Sequence, residues 1–422
     1  MKTDVAPHTV LVLVGTYLPG YRAGGQIRSL ANMVSALGEE FHFKILTLDR
    51  DLKEKSPFRG IVANSWVQVG QAEVMYLRPG LRGLYHTYSQ LRSLDENTVL
   101  YLNSVFSRRF SMLALFMRRI KLCAPRTTVL APRGELSLGA LGIKSFRKSL
   151  YLGISRCIRL HCSLLWHASS RFEAKDILRF DPKARSTYTT SIITNLLAGD
   201  YERARNDLVI ASDITSVPNA VQNHAKFKCQ GQLRVVFVSR VCRMKNLSGA
   251  IQMLQNLSGD VSFNIYGPAE DTVYWRECQS LIARLPVNIR VDYRGELVHE
   301  KVNQVFAEHD LLLLPTRGEN YGHVIAEALA AGCPVLISDQ TPWRDLEVAG
   351  VGWDLPLSQP EKFQAVLQQC VDSDPEWYAN LSSRALKYAV EICESSGAVV
   401  ANRKLFHRAF ASGVTSQSAA NL

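Results

Sequence analysis

The sequence predicts an α/β protein made of two βα domains facing each other across a cleft. Three observations predict it. Strand-like and helix-like segments alternate along the first half of the chain. The alternation loosens over residues 200–232, which include Ser216-Val-Pro-Asn-Ala220, and then resumes. The run from Leu311 to Ile337 spells one complete strand–loop–helix–strand unit of a parallel sheet. The length of 422 residues and an apolar fraction of 47% suit two full cores.

In chain order, Thr9–Val14 reads as the first strand, Gln26–Leu37 as a helix and His42–Leu48 as a strand. Residues 68–77 hold short strands, and Thr98–Asn103, Thr128–Ala131 and Leu164–Ala168 are strands, with a helix over 144–161. The second half reads as strand Leu233–Ser239, helix Leu247–Leu257, strand Ser262–Tyr266, helix Thr272–Ala283, strand Ile289–Tyr293 and helix His299–Ala307. A helical tail runs from Pro360 to about residue 411, and a polar end follows Ser412. The expected division is one βα domain over 1–215, a second over 216–390, and a helix with a polar tail over 391–422.

The most informative local pattern is Glu319 and Glu327 in Leu311-Leu-Leu-Leu-Pro-Thr-Arg-Gly-Glu-Asn-Tyr-Gly-His-Val-Ile-Ala-Glu327. Leu311–Leu314 is a buried strand, Pro315–Tyr321 a loop, Gly322–Ala331 a helix closed by Gly332, and Pro334–Ile337 the next strand. Glu319 therefore lies at the carboxyl end of a strand, where open α/β sheets bind ligands. Between the two acids, the helix N-terminus at Gly322, His323 and Val324 offers amides and the positive end of a dipole. Two carboxylates flanking an anion site suit a sugar nucleotide, with one acid on sugar hydroxyls and the other on ribose. The bland alternative is a solvated loop glutamate and a surface helix glutamate.

The nine cysteines are scattered with no Cys-x-x-Cys pair, which predicts reduced cytosolic thiols and no zinc site. Thr9-Val-Leu-Val-Leu-Val reads as a strand and not as a signal peptide, and no apolar run is long enough to span a bilayer. The net charge of +11 is concentrated: residues 101–161 hold twelve Lys/Arg and one acid, Glu135. Ser107–Cys123 and Lys144–Cys162 interleave these cations with Phe110, Leu113, Phe116, Met117, Tyr151 and Leu152. A solvated basic face, an anionic membrane surface and nucleic acid all remain open as partners.

Taken together, the chain resembles the retaining glycosyltransferases of family four, and within them a branch that builds bacterial surface polysaccharides. The resemblance covers nearly the whole chain. It is carried by Leu18-Pro-Gly-Tyr-Arg-Ala-Gly-Gly-Gln-Ile-Arg-Ser-Leu-Ala31, Ala131-Pro-Arg-Gly-Glu-Leu136, and Trp166-His-Ala-Ser-Ser170 with Glu173. Ser239-Arg-Val-Cys-Arg-Met-Lys-Asn-Leu247, Ile265-Tyr-Gly-Pro268 and the Glu319 to Glu327 stretch continue it. It implies the GT-B fold, with a Rossmann-like acceptor-binding domain over 1–215, a Rossmann-like nucleotide-sugar-binding domain over 216–390 and a C-terminal segment over 391–422 whose helix packs back on the first. It implies transfer of a hexose from a nucleotide-diphosphate sugar to a glycan or polyprenyl-diphosphate-linked acceptor. It further implies polysaccharide biosynthesis and no metal cofactor. Beside it, the basic region over 107–161 fits a lipid-linked acceptor at an anionic membrane surface, so the expected location is cytoplasmic, peripheral on the inner membrane's cytoplasmic face.

The resemblance also implies residue roles. Gly24 and Gly25 match a glycine turn where backbone approaches the diphosphate and sugar. Arg28, on the following helix, is either a phosphate contact or a surface arginine. Arg240 and Lys245 match the basic pair that stabilises charge on the leaving diphosphate. Glu319 matches the acid on the donor sugar, Glu327 the acid on ribose, and Gly295 the place where the base packs. Residues Asn320, Tyr321, Gly322, His323 and Val324 would bind sugar and phosphate through their backbone. Many family members carry a histidine after the strand Val99–Leu102. Here the place reads Asn103, which can hydrogen-bond a hydroxyl but is no base. His167 and His323 read as structural or neutral hydrogen-bonding residues. Arg133 and Glu135 either touch the acceptor or form a structural ion pair.

Other functions stand beside this one. A sugar-nucleotide epimerase or hydrolase shares the fold and would turn over without an acceptor. A metal-dependent transferase would use an Asp-x-Asp, and Asp49-Arg-Asp51 and Asp372-Ser-Asp374 fit that pattern, although both read more simply as caps and solvated charges. Gly20-Tyr-Arg-Ala-Gly-Gly25 is a poor match to the glycine fingerprint of a dinucleotide oxidoreductase. A basic nucleic-acid-binding protein is the alternative of a different class; it would show salt-sensitive binding and no effect of nucleotide sugars, and no nucleic acid is expected as a partner.

Overall fold

A computed structural model describes residues 8–142, 145–181, 208–215, 228–395 and 397–411. The chain divides into two compact units, one from Met1–Ile214 with Gly397–Leu422 and the other from Thr215–Ser396. The expected 390/391 boundary thus falls inside a helix, Pro375–Ser395, which belongs to the second unit.

The first unit carries eight strands: β1 Thr9–Leu13, β2 His42–Leu48, β3 Trp66–Val69, β4 Ala72–Leu77, β5 Thr98–Leu102, β6 Thr127–Leu130, β7 Leu165–Ala168 and β8 Leu208–Ile210. Their order is β3-β4-β2-β1-β5-β6-β7-β8, parallel except for the antiparallel pair β3–β4. Residues 68–77, expected to hold short strands, belong to this hairpin, which turns at Gly70 (φ 57°). β1 shows the period of two that builds both faces. Val10 and Val12 enter one core cluster with Phe41, Phe43 and Phe406, while Leu11 and Leu13 enter the other with Leu100 and Leu102. The helix Ala398–Ala411 seals the first of these faces, Phe406 lying 5.3 Å from Phe41 and 5.6 Å from Phe43 between ring centroids.

The second unit carries β9 Gln232–Val238, β10 Asp260–Tyr266, β11 Ile289–Gly295, β12 Leu311–Leu314, β13 Val335–Ser338 and β14 Gly352–Leu355. The order is β11-β10-β9-β12-β13-β14, all parallel. Sheets buried on both faces need continuous apolar strands, and Leu311–Leu314 is fully buried in this way.

Several expectations change in detail. β8 forms within the stretch read as an irregular connection; pairing with β7 supplies the order that its own short sequence cannot. Lys144 and the segment 216–220 lie outside the described residues, as does the end beyond 411; the helix expected over 144–161 is described as Ser145–Cys157. The single helical tail is three helices, Pro360–Asp372, Pro375–Ser395 and Ala398–Ala411. Pro375 restarts the chain after the first, and Gly397 (φ 58°) stands before the third. The helix Arg171–Phe180 was not legible as periodicity, but Ser170 caps its start and Glu173 reaches back to the residue before the cap. Ser170 Oγ accepts from the Glu173 amide (3.2 Å), and Glu173 accepts from the Ser169 amide (2.8 Å).

Candidate active site

In each parallel sheet there is one place where the strand order reverses, and there the loops leaving two neighbouring strands part and open a crevice. In the second unit that place lies between β9 and β12. The loop after β9 runs through a 3-10 turn, Arg243–Lys245, and the loop after β12 runs through Thr316 to Tyr321. The two are stitched together by backbone. Arg317 N donates to Met244 O (2.8 Å), Thr316 Oγ1 donates to the same oxygen (3.2 Å), and Asn246 Nδ2 donates to Pro315 O (2.9 Å). Asn246 stands in the left-handed region (φ 56°), which asparagine tolerates. Sequence reasoning missed this residue, although an asparagine just before an apolar helix is a start signal.

This stitching brings the Lys245 ammonium onto the Glu319 carboxylate as a hydrogen-bonded ion pair, with both side chains mostly buried. Two residues separated widely in sequence are therefore one feature at the switch point. Glu319 is anchored from behind, its amide donating to Gln340 O (3.0 Å). Three residues later Gly322 (φ 84°) caps the helix His323–Ala330. A Cβ at Gly322 would sit 2.8 Å from Ile325 Cδ1, so the turn that starts this helix requires glycine on two counts. The positive end of the helix dipole thus lies on the loop that carries Glu319.

Around this centre, Arg240 is exposed, with no side-chain partner among the described residues. Its loop is held against the one after β10, because Gly267 (φ 133°) lets that backbone approach Ser239 O where a Cβ would sit at 2.0 Å. Val241 N donates to Pro268 O (3.0 Å). Gly295 ends β11 with φ 75° and open space at its Cβ position. Glu327 is half-buried on the helix. The side chains of Tyr321 and His323 do packing work. The Tyr321 hydroxyl bonds Thr215, its ring lies tilted at 4.8 Å from that of His323, and its carbonyl accepts from Trp343 Nε1 (2.6 Å).

In the first unit the strand order reverses between β1 and β5. Gly24 (φ 62°) and Gly25 lie on the loop from β1 and open the helix Gly25–Leu37, with nothing near a Cβ at Gly24. Arg28 lies in the first turns of that helix. Asp51 holds the preceding turn by accepting from the amides of Tyr21 (2.8 Å) and Arg22 (3.2 Å). Asp51 is therefore a buried cap and not a solvated charge. Asp374 likewise accepts from Trp377 N (2.7 Å).

Asn103, at the end of β5, is buried, and its Oδ1 accepts from Arg133 Nε (2.7 Å). Arg133 (φ 55°) also pairs with Asp213 and donates through Nη2 to the Tyr101 hydroxyl (2.9 Å). Tyr101 in turn bonds His167 Nδ1 (2.7 Å), and His167 Nε2 bonds Ala211 O (2.8 Å). Burial, helped by Arg133, lowers His167 to about 4, so the ring is neutral. Burial alone would also lower Arg133, but Tyr101, Asp213 and Glu173 outweigh it and hold the guanidinium charged. The chain of donors is consequently directional: Arg133 N–H to Tyr101, Tyr101 O–H to His167, His167 N–H to Ala211. At its other end Asn103 Nδ2 is buried, with no partner among the described residues.

These contacts revise the pairing expected of Arg133 and Glu135. Arg133 spends its donors on Asn103, Asp213 and Tyr101 and does not pair with Glu135. Glu135 instead accepts from Ser104 Oγ (2.9 Å) and from the amides of Val105 (2.7 Å) and Phe106 (3.1 Å), holding the turn after Asn103. Burial raises its carboxyl despite these bonds. Both residues thus support Asn103 from behind. Asp213 was invisible in the sequence because it sits in the stretch read as a connection.

Residues 218–388 match the family model of the glycosyl transferases group 1. No curated protein matches the chain. Among solved structures, HepE of Anabaena, determined with UDP and glucose, superposes with a TM-score of 0.65 at 15% identity, over 95% of this chain and 98% of that one. Sucrose-phosphate synthase of Thermosynechococcus elongatus gives 0.66 at 14% identity, over 96% and 100%. WaaG, a glycosyltransferase involved in lipopolysaccharide biosynthesis, gives 0.60 at 14% identity, over 94% and 98%. At such identities these are likenesses of fold, and the fold is that of two Rossmann-like units.

Proposed function

We propose that this chain, whose residues 218–388 match the family model of the glycosyl transferases group 1, is a hexosyltransferase that takes its sugar from a nucleotide-diphosphate donor and retains the configuration at the anomeric carbon. The observation that carries this reading is the Lys245–Glu319 pair at the switch point of the second sheet, its glutamate on the loop that opens the helix at Gly322. When the bond from the anomeric carbon to the diphosphate oxygen breaks, the electron pair stays with the oxygen. The ammonium of Lys245, the guanidinium of Arg240 and the helix N-terminus stabilise that charge. These fixed charges serve without a metal ion. Glu319 accepts from sugar hydroxyls, Glu327 from ribose, and the base lies over Gly295.

Lys245 and Glu319 hold one another before the donor arrives. The donor then replaces one charged partner by two, phosphate on the lysine and hydroxyls on the glutamate, so neither group is left bare. Retention follows if the acceptor hydroxyl attacks from the face the diphosphate leaves. The leaving oxygen takes the hydroxyl proton, so no side-chain base is required, in keeping with asparagine at position 103. The acceptor proposed is a growing glycan or a lipid-linked sugar of a polysaccharide, with Asn103 on its side. The likeness to WaaG and HepE supports this class of reaction.

The test is thermal-shift binding against a panel of nucleoside diphosphates and nucleotide sugars, on wild type, Lys245→Ala and Glu319→Gln. One donor should stabilise the wild type, and both variants should lose most of that shift. With the acceptor found, Lys245→Ala should lower kcat by about 10²–10³-fold, and EDTA should leave turnover unchanged. No shift with any nucleotide sugar, together with a shift by nucleic acid or a nicotinamide cofactor, overturns the proposal. Turnover of the donor without an acceptor would make the enzyme an epimerase or hydrolase.

A further inference from the structure

The cations of residues 101–161 have a counterpart in the structure that composition did not show. On the helix Ser145–Cys157, the large side chains of Phe146, Leu150 and Ile154 are 79%, 55% and 52% exposed. Ile158, whose amide continues the turn by donating to Ile154 O (3.0 Å), is 40% exposed. The spacing is four residues throughout, so the four lie on one side of the helix. The opposite side is the one that packs: Leu152 and Ser155 are buried, and Tyr151 packs on Phe106 at 5.8 Å.

A second element extends the stripe. Arg119 Nε, at the end of the helix Leu113–Arg119, donates to Ile158 O (2.8 Å) and fixes the two helices side by side. Phe116 and Ile120 on that helix end are 50% and 47% exposed. The surroundings are basic. Lys121, Arg147 and Arg159 are exposed, with no side-chain partner among the described residues.

We propose that this face of the first unit docks on an anionic lipid surface, with Phe146, Leu150, Ile154 and Ile158 entering the acyl boundary and the neighbouring cations meeting the headgroups. Charge complementarity selects this occupant. A second copy of the chain would bring a basic rim against a basic rim. A nucleic acid would leave Leu150, Ile154 and Ile158, which offer no ring to stack on bases, against phosphate. Lipid alone answers both the charge and the stripe. The surface does not depend on the transferase reading.

The experiment is flotation of the full chain with vesicles of phosphatidylcholine alone or with phosphatidylglycerol, at low and high salt. Four proteins are compared: wild type, the double variant Leu150→Asp with Ile154→Asp, the double variant Arg147→Glu with Arg159→Glu, and Ile154→Trp. The substituted positions are exposed, and an unchanged melting temperature checks that each variant is folded. Wild type should float with anionic and not with neutral vesicles, and salt should weaken it. Each double variant should lose binding at least tenfold. The fluorescence that Ile154→Trp adds over wild type should shift to the blue on anionic vesicles only. Absence of wild-type binding at low salt overturns the proposal. So does binding that survives the aspartates, or an added emission that does not shift. Dimers of the wild type that the aspartates disperse, without vesicle binding, would assign the face to a second copy.

Discussion

Arg133 is worth more to this protein as a holder of other groups than as a ligand. It lies in the left-handed region, is enclosed, and connects Asn103, Asp213 and Tyr101. Removing one partner of a buried ion pair leaves the other charge uncompensated, at a cost of about 3–5 kcal/mol. Arg133→Met should therefore lower unfolding stability by about that much, whereas Asp213→Asn, which keeps an acceptor, should cost less; urea denaturation of both decides it. Equal losses would show that the charge on Asp213, and not its acceptor oxygen, is what matters. The sequence pointed to Arg133 and Glu135 because both stand in a loop after a strand. It could not show that Asp213, eighty positions away, claims one and the turn after Asn103 claims the other.

Among elements, the two loops of the second switch point act as one. Asn246 ties the lysine loop to the end of β12, and Gly322 ties the glutamate loop to its helix. Asn246→Gly keeps the left-handed conformation and loses only the hydrogen bond, costing about 1–3 kcal/mol, and should weaken donor binding by misplacing Lys245. Gly322→Ala meets both a positive φ and Ile325, whereas Gly295→Ala meets a positive φ and open space. Measured by thermal melting, Gly322→Ala should be the more damaging of the two and should reduce nucleotide-sugar binding. Equal effects would place the demand on φ alone. The strand–loop–helix reading of this segment needed only periodicity and glycine chemistry, and it survives with helix ends shifted to His323 and Ala330. β8, of three residues, and β14, which reads Gly-Trp-Asp-Leu, escaped because neither carries a period or an apolar run as long as Leu311–Leu314.

For the whole molecule, acid sensitivity should come from two neutral histidines, the buried His167 and the half-buried His161. Burial lowers both His161 and His167 to about 4, against an unfolded value near 6.5. A depressed folded value means that the unfolded chain takes up the proton first. The stability these groups supply is therefore present above pH 6.5 and is lost as pH falls toward 4. Glu135 and Glu173, raised by burial, act in the opposite sense, their contribution being lost as pH rises. The slope of unfolding free energy against pH between 6.5 and 4 should accordingly be shallower in His167→Gln than in wild type, whatever the absolute stability. An unchanged slope would mean that His167 titrates normally.

The sequence by itself determined the α/β class, two parallel sheets, and the loops on which the candidate residues stand. Alternating apolar residues, glycines at turns and runs of buried leucine are local signals that read the same in any context. Only the tertiary structure decided that Lys245 and Glu319 are partners, that Arg133 is a scaffold, that Asp51 is a cap, and that the cations at 101–161 border an exposed apolar stripe. Each of these depends on which strand lies beside which, or on which side of a helix is covered. Strand order in a parallel sheet is set by packing between segments distant in sequence, and no local window contains it.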